Sequence, residues 1–321
     1  LLLARALPYG LHVLDECHVL PARTYAAATK AVVRARLRLA MTASLSRSDG
    51  RQDDVAAIVG PVSFAFSSAQ AHASGRAARV AHVVLEVPTP PAVLAAYEAS
   101  AAGSDEQRAL SVLNPRKAEA LVRMLKDDTH RKIVVYCDKL AVLDMVERVV
   151  RLVDGLRFAG VFRGASTHAE RCAFLAAMRE SAERVAGVVT RAGSTSFDVQ
   201  DLDTVIEIDV GDASVQKMTQ RLGRAQRMHD AKPRARMYSI VSAGTREVAF
   251  ARARAAAWGD EGEWRKLACG DDDSDDPRVA EVVALALGAV RRHRARRAQT
   301  GAGVKRTAAS AARRRFRRRL G

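Results

Sequence analysis

The chain has 321 residues, 48% of them hydrophobic, enough for two domains of ordinary size with a real core. No apolar run reaches the ~18 residues of a bilayer span, and the start Leu1-Leu2-Leu3-Ala4 lacks the length and basic flank of a signal peptide. The net charge is +16, but the stretch from Arg278 onward holds 14 Lys and Arg against one acid, Glu281, so +13 of it sits in a tail and the rest is near neutral. Cys17, Cys137, Cys172 and Cys269 are scattered, without zinc-ligand spacing or a disulfide framework, which suits a reducing compartment.

The chain starts at Leu and runs almost directly into a strand, so it reads as a fragment. Gly10 to Leu14 is a short buried strand, and a helix is expected over Ala22 to Arg36. Leu37, Leu39 and Met41 alternate with Arg38 and Ala40 as in a strand that ends in Thr42-Ala43-Ser44. A polar stretch follows, then a strand from Val80 to Val87 stopped by Pro88, Pro90 and Pro91. Residues 88–115 read as a linker with a helix over Ala92 to Ala102 and a Gly-Ser break.

From Asn114-Pro115 the pattern is regular. Helices are expected over 116–126, 140–153, 167–181, 213–222 and 245–258, and strands over 133–137, 158–162, 185–190, 205–210 and 236–241. Strands alternating with helices, several of them near-continuous apolar runs, argue for a parallel sheet covered on both faces. The expected organisation is α/β with parallel sheets: a partial first domain over 1–87, a linker over 88–115, a complete second domain over 116–268, then an acidic linker and a basic, disordered tail over 269–321.

Two strings carry chemistry. Leu14-Asp15-Glu16-Cys17-His18 puts an acid pair just past a strand, where ligands of parallel sheets bind. Asp15 has the chemistry to hold Mg²⁺ and Glu16 that to take a proton from an attacking water. His18 is placed to couple this pair to Thr42-Ala43-Ser44 at the next strand end. Gln220-Arg221-Leu222-Gly223-Arg224-Ala225-Gln226-Arg227 spaces three arginines roughly along one helical face, with Gly223 permitting close backbone approach. Guanidinium groups grip phosphate in a fork that Lys does not copy. The blander alternatives are an Asp that caps the next helix and a solvated basic face.

These strings resemble the XPB-type branch of the superfamily 2 DExH helicases. Leu14 to Ala22 is similar to motif II, Leu39 to Leu45 to motif III, Ile133 to Asp138 to motif IV, Thr195-Ser196-Phe197-Asp198 to motif V and Gln220 to Arg227 to motif VI. Asn114-Pro115-x-Lys117 and Gly164-Ala165-Ser166-Thr167-x-x-Glu170-Arg171 also have counterparts there. The resemblance implies two RecA-like lobes closing on ATP and Mg²⁺, with DNA tracked 3′ to 5′ for promoter opening and nucleotide excision repair. It also implies nuclear localisation and TFIIH-like partners. Carried onto this chain, it makes Arg224 and Arg227 arginine fingers and puts Gln220 and Arg221 near the nucleotide and Asp198 near the ribose. Thr195 and Ser196 fall near the nucleic-acid backbone, and His18, Thr42 and Ser44 in the coupling of hydrolysis to movement.

The chain departs from the family at Arg47-Ser48-Asp49, where Arg-Glu-Asp is usual, a change that bears on unwinding and not on ATP hydrolysis. It also contains no Gly-x-x-x-x-Gly-Lys-Ser/Thr string, the loop that cradles β- and γ-phosphates. The expectation is therefore that the loop lies upstream and that this chain alone hydrolyses ATP poorly or not at all. The alternative is an ATPase-inactive DNA- or partner-binding module, aided by the Arg-rich tail. An RNA-directed motor is a third reading.

Overall fold

A computed structural model describes residues 9–32, 35–43, 45, 50–190, 198–229, 235–256 and 262–267, with the single residues 288 and 295. Ser44, Thr195, Ser196 and the Arg47-Ser48-Asp49 departure lie outside the described residues, as does nearly all of the tail. The chain divides into two compact units: residues up to Arg79 with Ser214–Met228, and Val80–Ala213 with residues from His229 onward.

In the first unit, β1 (Leu11–Leu14) pairs in parallel with β2 (Leu37–Ala40), Leu11 opposite Leu37 and Leu14 opposite Ala40. The crossover is α1 (Arg23–Ala31), shorter than the sequence suggests. The stretch read as polar holds two helices, α2 (Gln52–Val59) and α3 (Ser68–Ala73). Each has a local reason to form: Asp53 and Asp54 sit in the first turn of α2, and Ser67 with Gln70 makes a capping box at α3. A small core gathers Cys17, Leu20 and Val55 with Leu14, Ala40 and Ile58. Leu11, Val13, Leu37 and Leu39 stay about half exposed or more.

The second unit is built from β3 (Val80–Val87), α4 (Pro91–Glu98), α5 (Asp105–Val112), α6 (Pro115–Lys126), β4 (Lys132–Tyr136), α7 (Leu140–Arg151), β5 (Arg157–Phe162) and α8 (His168–Glu180). It continues with β6 (Val185–Val189) and β7 (Thr204–Glu207), then β8 (Ala235–Ser242), α10 (Arg246–Ala256) and β9 (Gly262–Lys266). The intervening helix, α9 (Val215–Ala225), groups with the first unit. The sheet has seven strands in the order β5-β6-β4-β7-β8-β3-β9, every neighbouring pair parallel. The interior strand β4, Lys-Ile-Val-Val-Tyr, is buried along its whole length, as a strand covered on both faces must be. At Gly187 in β6 a Cβ would lie 2.5 Å from the Phe174 ring of α8, so only glycine lets that helix seat.

Two boundaries differ from the sequence reading. β3 hydrogen-bonds to β8 and β9, so it belongs to the seven-stranded sheet and not with the first 79 residues. Residues 88–115 are not a linker: Ala96 and Tyr97 of α4 and Leu110 and Val112 of α5 are buried in the main core with Leu121, Ile133, Val146 and Ile240. The Gly-Ser break is the start of α5, where Ser104 accepts from the Gln107 amide as an N-cap.

A buried ion pair ties three of these elements together. Lys117 of α6 is fully buried; its Nζ donates to Ile208 O at 2.7 Å and lies 2.6 Å from Glu247 Oε2 of α10. Glu247 also accepts from the amides of Ser242 at 3.0 Å and Val210 at 3.3 Å. Next to the pair, Asn114 caps α6 and donates to Pro88 O and Ser242 Oγ, both at 3.0 Å. The Asn-Pro-x-Lys string thus does structural work, with Pro115 at the helix position that tolerates it.

Burial pushes the Glu247 carboxyl up to about 7, against the opposing pull of Lys117 and the Ser242 amide. The ordinary glutamate value is ~4.3. Between that value and about 7, the folded chain holds a proton that the unfolded chain has lost. Glu247's contribution to stability is therefore fully present below that window and lost as pH rises through it. His82 and His130, both lowered by burial, act in the opposite sense, so the test is a difference between variants. Between about pH 5 and 7, Glu247→Gln is expected to make unfolding free energy rise more with pH than in wild type, by up to one proton's worth. Urea melts across that range check this; identical slopes would reject it.

Candidate functional site

The acid pair follows β1 directly. Asp15 is exposed, and its Oδ1 accepts from the Glu16 amide at 2.9 Å. Glu16 has φ 51° and ψ 46°, the only non-glycine in the left-handed region among the described residues. That conformation costs a residue with a Cβ roughly 1–2 kcal/mol. It turns the chain into a one-turn helix, Cys17–Val19, and leaves the Glu16 side chain 47% exposed.

His18 is buried beneath this turn. Its Nδ1 lies 3.1 Å from Glu16 Oε2 and 2.9 Å from Thr42 Oγ1. A carboxylate at that distance favours the proton on Nδ1, which then donates to both oxygens. The two strand ends are locked by Met41 N donating to Leu14 O and Cys17 N donating to Met41 O, both at 2.9 Å. Glu16, His18 and Thr42, paired in the sequence by position alone, are thus joined in space. The neighbouring Cys17 is buried, and its thiol is pushed up first by burial and then by Glu16 and Asp15, which disfavours the thiolate.

Among the described residues no group of three or more His, Cys, Asp or Glu is arranged to hold a metal. An exposed carboxylate such as Asp15 still fits Mg²⁺, which takes one or two protein carboxylates, keeps several waters and completes its shell with phosphate oxygens.

The arginines lie on and just beyond α9. Ser214 caps the helix, accepting from the Lys217 amide at 3.3 Å. Gln220, Arg221 and Arg224 are inside it; the helix ends at Ala225, so Arg227 lies past its end and the expected shared face holds only Arg221 and Arg224. Arg221 is buried and Gln220, Arg224 and Arg227 half-buried. A Cβ at Gly223 would meet nothing within 4 Å among the described residues, so the close approach expected of it is not seen among them. Gln226 O accepts from Ala78 N at 2.8 Å, which ties the end of α9 to the residues before the second unit.

In the second unit, Thr167 and Glu170 form a capping box at α8, and Arg171 donates to Ser166 O at 3.0 Å and Gly164 O at 3.2 Å. That string shapes the turn beyond the carboxyl end of β5. Asp198 is half-buried, and its carbonyl accepts from Arg179 Nε at 2.7 Å. Sequence reasoning did not single out Glu207, Asp212 or Arg254, which surround the chain between β7 and α9. Their signal is two acids and a distant Arg, visible only once the sheet is assembled.

The architecture is similar to the ATP-dependent Type ISP restriction-modification enzyme LlaBIII bound to DNA, with TM-score 0.57 and 15% identity, covering 88% of this chain and 23% of that one. It is also similar to S. cerevisiae Dbp5 bound to RNA and ADP BeF3, with TM-score 0.55 and 14% identity over 85% of this chain and 63% of that one. The fold is that of RecA-like helicase domains. The family model described as ERCC3/RAD25/XPB C-terminal helicase matches residues 72–276, and the chain belongs to that family. It is 30% identical over 267 residues to a protein named DNA 3′-5′ helicase XPB from Kineococcus radiotolerans, covering 82% of this chain and 45% of that one. It is 28% identical over 259 residues to the Arabidopsis thaliana general transcription and DNA repair factor IIH helicase/translocase subunit XPB1, covering 77% and 33%. The chain spans less than half the length of these relatives.

The left-handed Glu16 gives a test of strain. Glu16→Gly is expected to raise unfolding free energy by about 0.5–1 kcal/mol, because glycine accepts that conformation freely and the half-exposed Glu16–His18 contact is worth little. Chemical denaturation reads this directly. A loss of stability would mean that the His18 contact outweighs the strain.

Proposed function

We propose that this chain is the C-terminal part of an ATP-dependent 3′–5′ DNA helicase or translocase of the XPB type. The observation that carries the reading is the bridge from Glu16 through His18 Nδ1 to Thr42, which connects a strand-end carboxylate to the next strand end. Family membership over residues 72–276 supports it.

In this reading Asp15 holds the metal and Glu16 accepts the proton of the attacking water. Magnesium, when bound, neutralises charge on the phosphates. Arg224 and Arg227 act as arginine fingers beside the transferring phosphate, with Arg221 and Gln220 near the nucleotide. His18 senses the charge on Glu16 and passes it to Thr42, so the strand ends respond to the state of the site. Ser44 continues that coupling, Asp198 contacts the ribose, and Thr195 and Ser196 contact the DNA backbone. The substrates are ATP and DNA. The partners are subunits of a TFIIH-like complex, and the roles are promoter opening and nucleotide excision repair. In a eukaryotic cell that work is nuclear; the Kineococcus relative extends the family beyond that setting.

A second reading is an ATPase-inactive DNA- or partner-binding module. It predicts DNA binding that is indifferent to ATP.

The decisive measurement is DNA-stimulated ATP turnover by the full-length protein. Glu16→Gln and Arg224→Ala are each expected to lower it by at least about a hundredfold, the scale of losing one transition-state group. Turnover near wild type in either variant removes that residue from the site. A wild-type protein that binds DNA without turnover leaves the second reading.

A further inference from the structure

The segment between β7 and α9 is held by an unusual number of charged groups. Lys117 Nζ donates to Ile208 O at 2.7 Å, and Glu247 Oε1 accepts from Val210 N at 3.3 Å. At the start of the segment, Glu207 is fully buried and receives Arg254 Nη1 on both oxygens, at 3.2 and 3.0 Å, and the Ser239 hydroxyl at 3.0 Å. His82 Nε2 stands 3.1 Å from that hydroxyl, extending the chain of polar contacts to β3. The second Arg254 nitrogen, Nη2, reaches Asp212 Oδ1 at 3.4 Å. Glu247 and Arg254 are two helical turns apart on α10, so one face of that helix holds the segment at Val210 through Glu247 and at Glu207 and Asp212 through Arg254.

Burying charges in this way is costly. Each ion forfeits several kcal/mol of hydration, and apolar groups of the same volume often stabilise a fold more. Their benefit is geometric: ion pairs with fixed hydrogen bonds specify one backbone path where apolar contacts tolerate several. The path specified here is Ile208 to Asp212, and Ser214, the N-cap of the arginine-bearing helix, is two residues further on. Asp212 is the exposed end of the arrangement, its side chain 42% accessible, while Arg254 is buried.

We propose that Asp212 is a positioning residue for ATP turnover. Arg254, fixed by Glu207, holds Asp212 and with it the backbone that leads into the helix carrying Gln220, Arg221 and Arg224. This rests on the helicase reading above. Loosening the segment frees the backbone that enters that helix at its N-cap, Ser214, and small misplacements of transition-state groups cost rate and not ground-state binding.

The test compares wild type, Asp212→Ala and Asp212→Glu in the full-length protein. Arg254 variants take the guanidinium from the buried Glu207 and put folding at risk, so Asp212, with its side chain 42% accessible, is the site to change. Asp212→Ala is expected to keep the melting temperature within about 2 °C, to speed amide hydrogen exchange over residues 210–213, and to lower kcat for DNA-stimulated ATP hydrolysis about tenfold with KM for ATP unchanged. Asp212→Glu restores most of kcat. Unchanged exchange over 210–213, or unchanged kcat beside a turning-over wild type, overturns the proposal. A wild-type protein with no turnover at all refutes the helicase reading instead, so the two failures are distinguishable.

Discussion

The second unit depends on one ion pair placed where its sheet would otherwise have least to hold it. Lys117 and Glu247 meet at 2.6 Å, both buried, at the carboxyl ends of the strands. Every surrounding element answers to them: Ile208 through its carbonyl, Val210 and Ser242 through their amides, α6 and α10 through their first turns. Removing one partner of such a pair leaves an uncompensated buried charge, on the order of 3–5 kcal/mol. That is a large share of the stability of an ordinary domain. The same edge, at the carboxyl ends of the strands, is where ligands of parallel sheets bind, so the pair that fixes the fold also fixes that edge.

The first unit works by the opposite economy. Its core is small, and the turn after β1 is made by strain and by one buried imidazole. Glu16 is forced into a left-handed conformation that projects its carboxylate outward, and His18 converts that position into a contact with Thr42. A residue of this kind persists where the surroundings over-determine it, and such outliers gather where chemistry needs a group held in place.

Much of the site was legible because it is local. Asp15, Glu16, His18 and Thr42 follow strand ends, and strand ends are readable from alternation and apolar runs. The conformation of Glu16 was not, since nothing in the string Leu-Asp-Glu-Cys-His marks a positive φ. Arg227 looked continuous with Arg221 and Arg224 because the three recur every three residues, although the helix ends at Ala225. The strand nature of Val80–Val87 was plain, but its sheet was not: its partners are Ala235–Ser242 and Gly262–Lys266, far away in sequence. β9 itself escaped notice because Gly-Glu-Trp-Arg-Lys carries one apolar side chain, Trp264, which an edge strand anchored by a bond to Glu86 can tolerate. Helices α4 and α5 passed for a linker, since each is only eight residues long and α4, with three alanines, packs without a strong amphipathic signature.

The place of β3 between β8 and β9 governs the order of events during folding. The first strand of the unit to leave the ribosome is the last to find both neighbours, because these arrive with residues 235–242 and 262–266. Until then its buried run of Val83, Val84 and Leu85 has no sheet to join. Pairing over so long a loop is slow and leaves apolar strand edges open in the meantime. The interior strands β4, β6 and β7, whose partners lie within a shorter stretch, are the natural nucleus. A chain halted before residue 262 would keep that nucleus while leaving one edge of β3 bare.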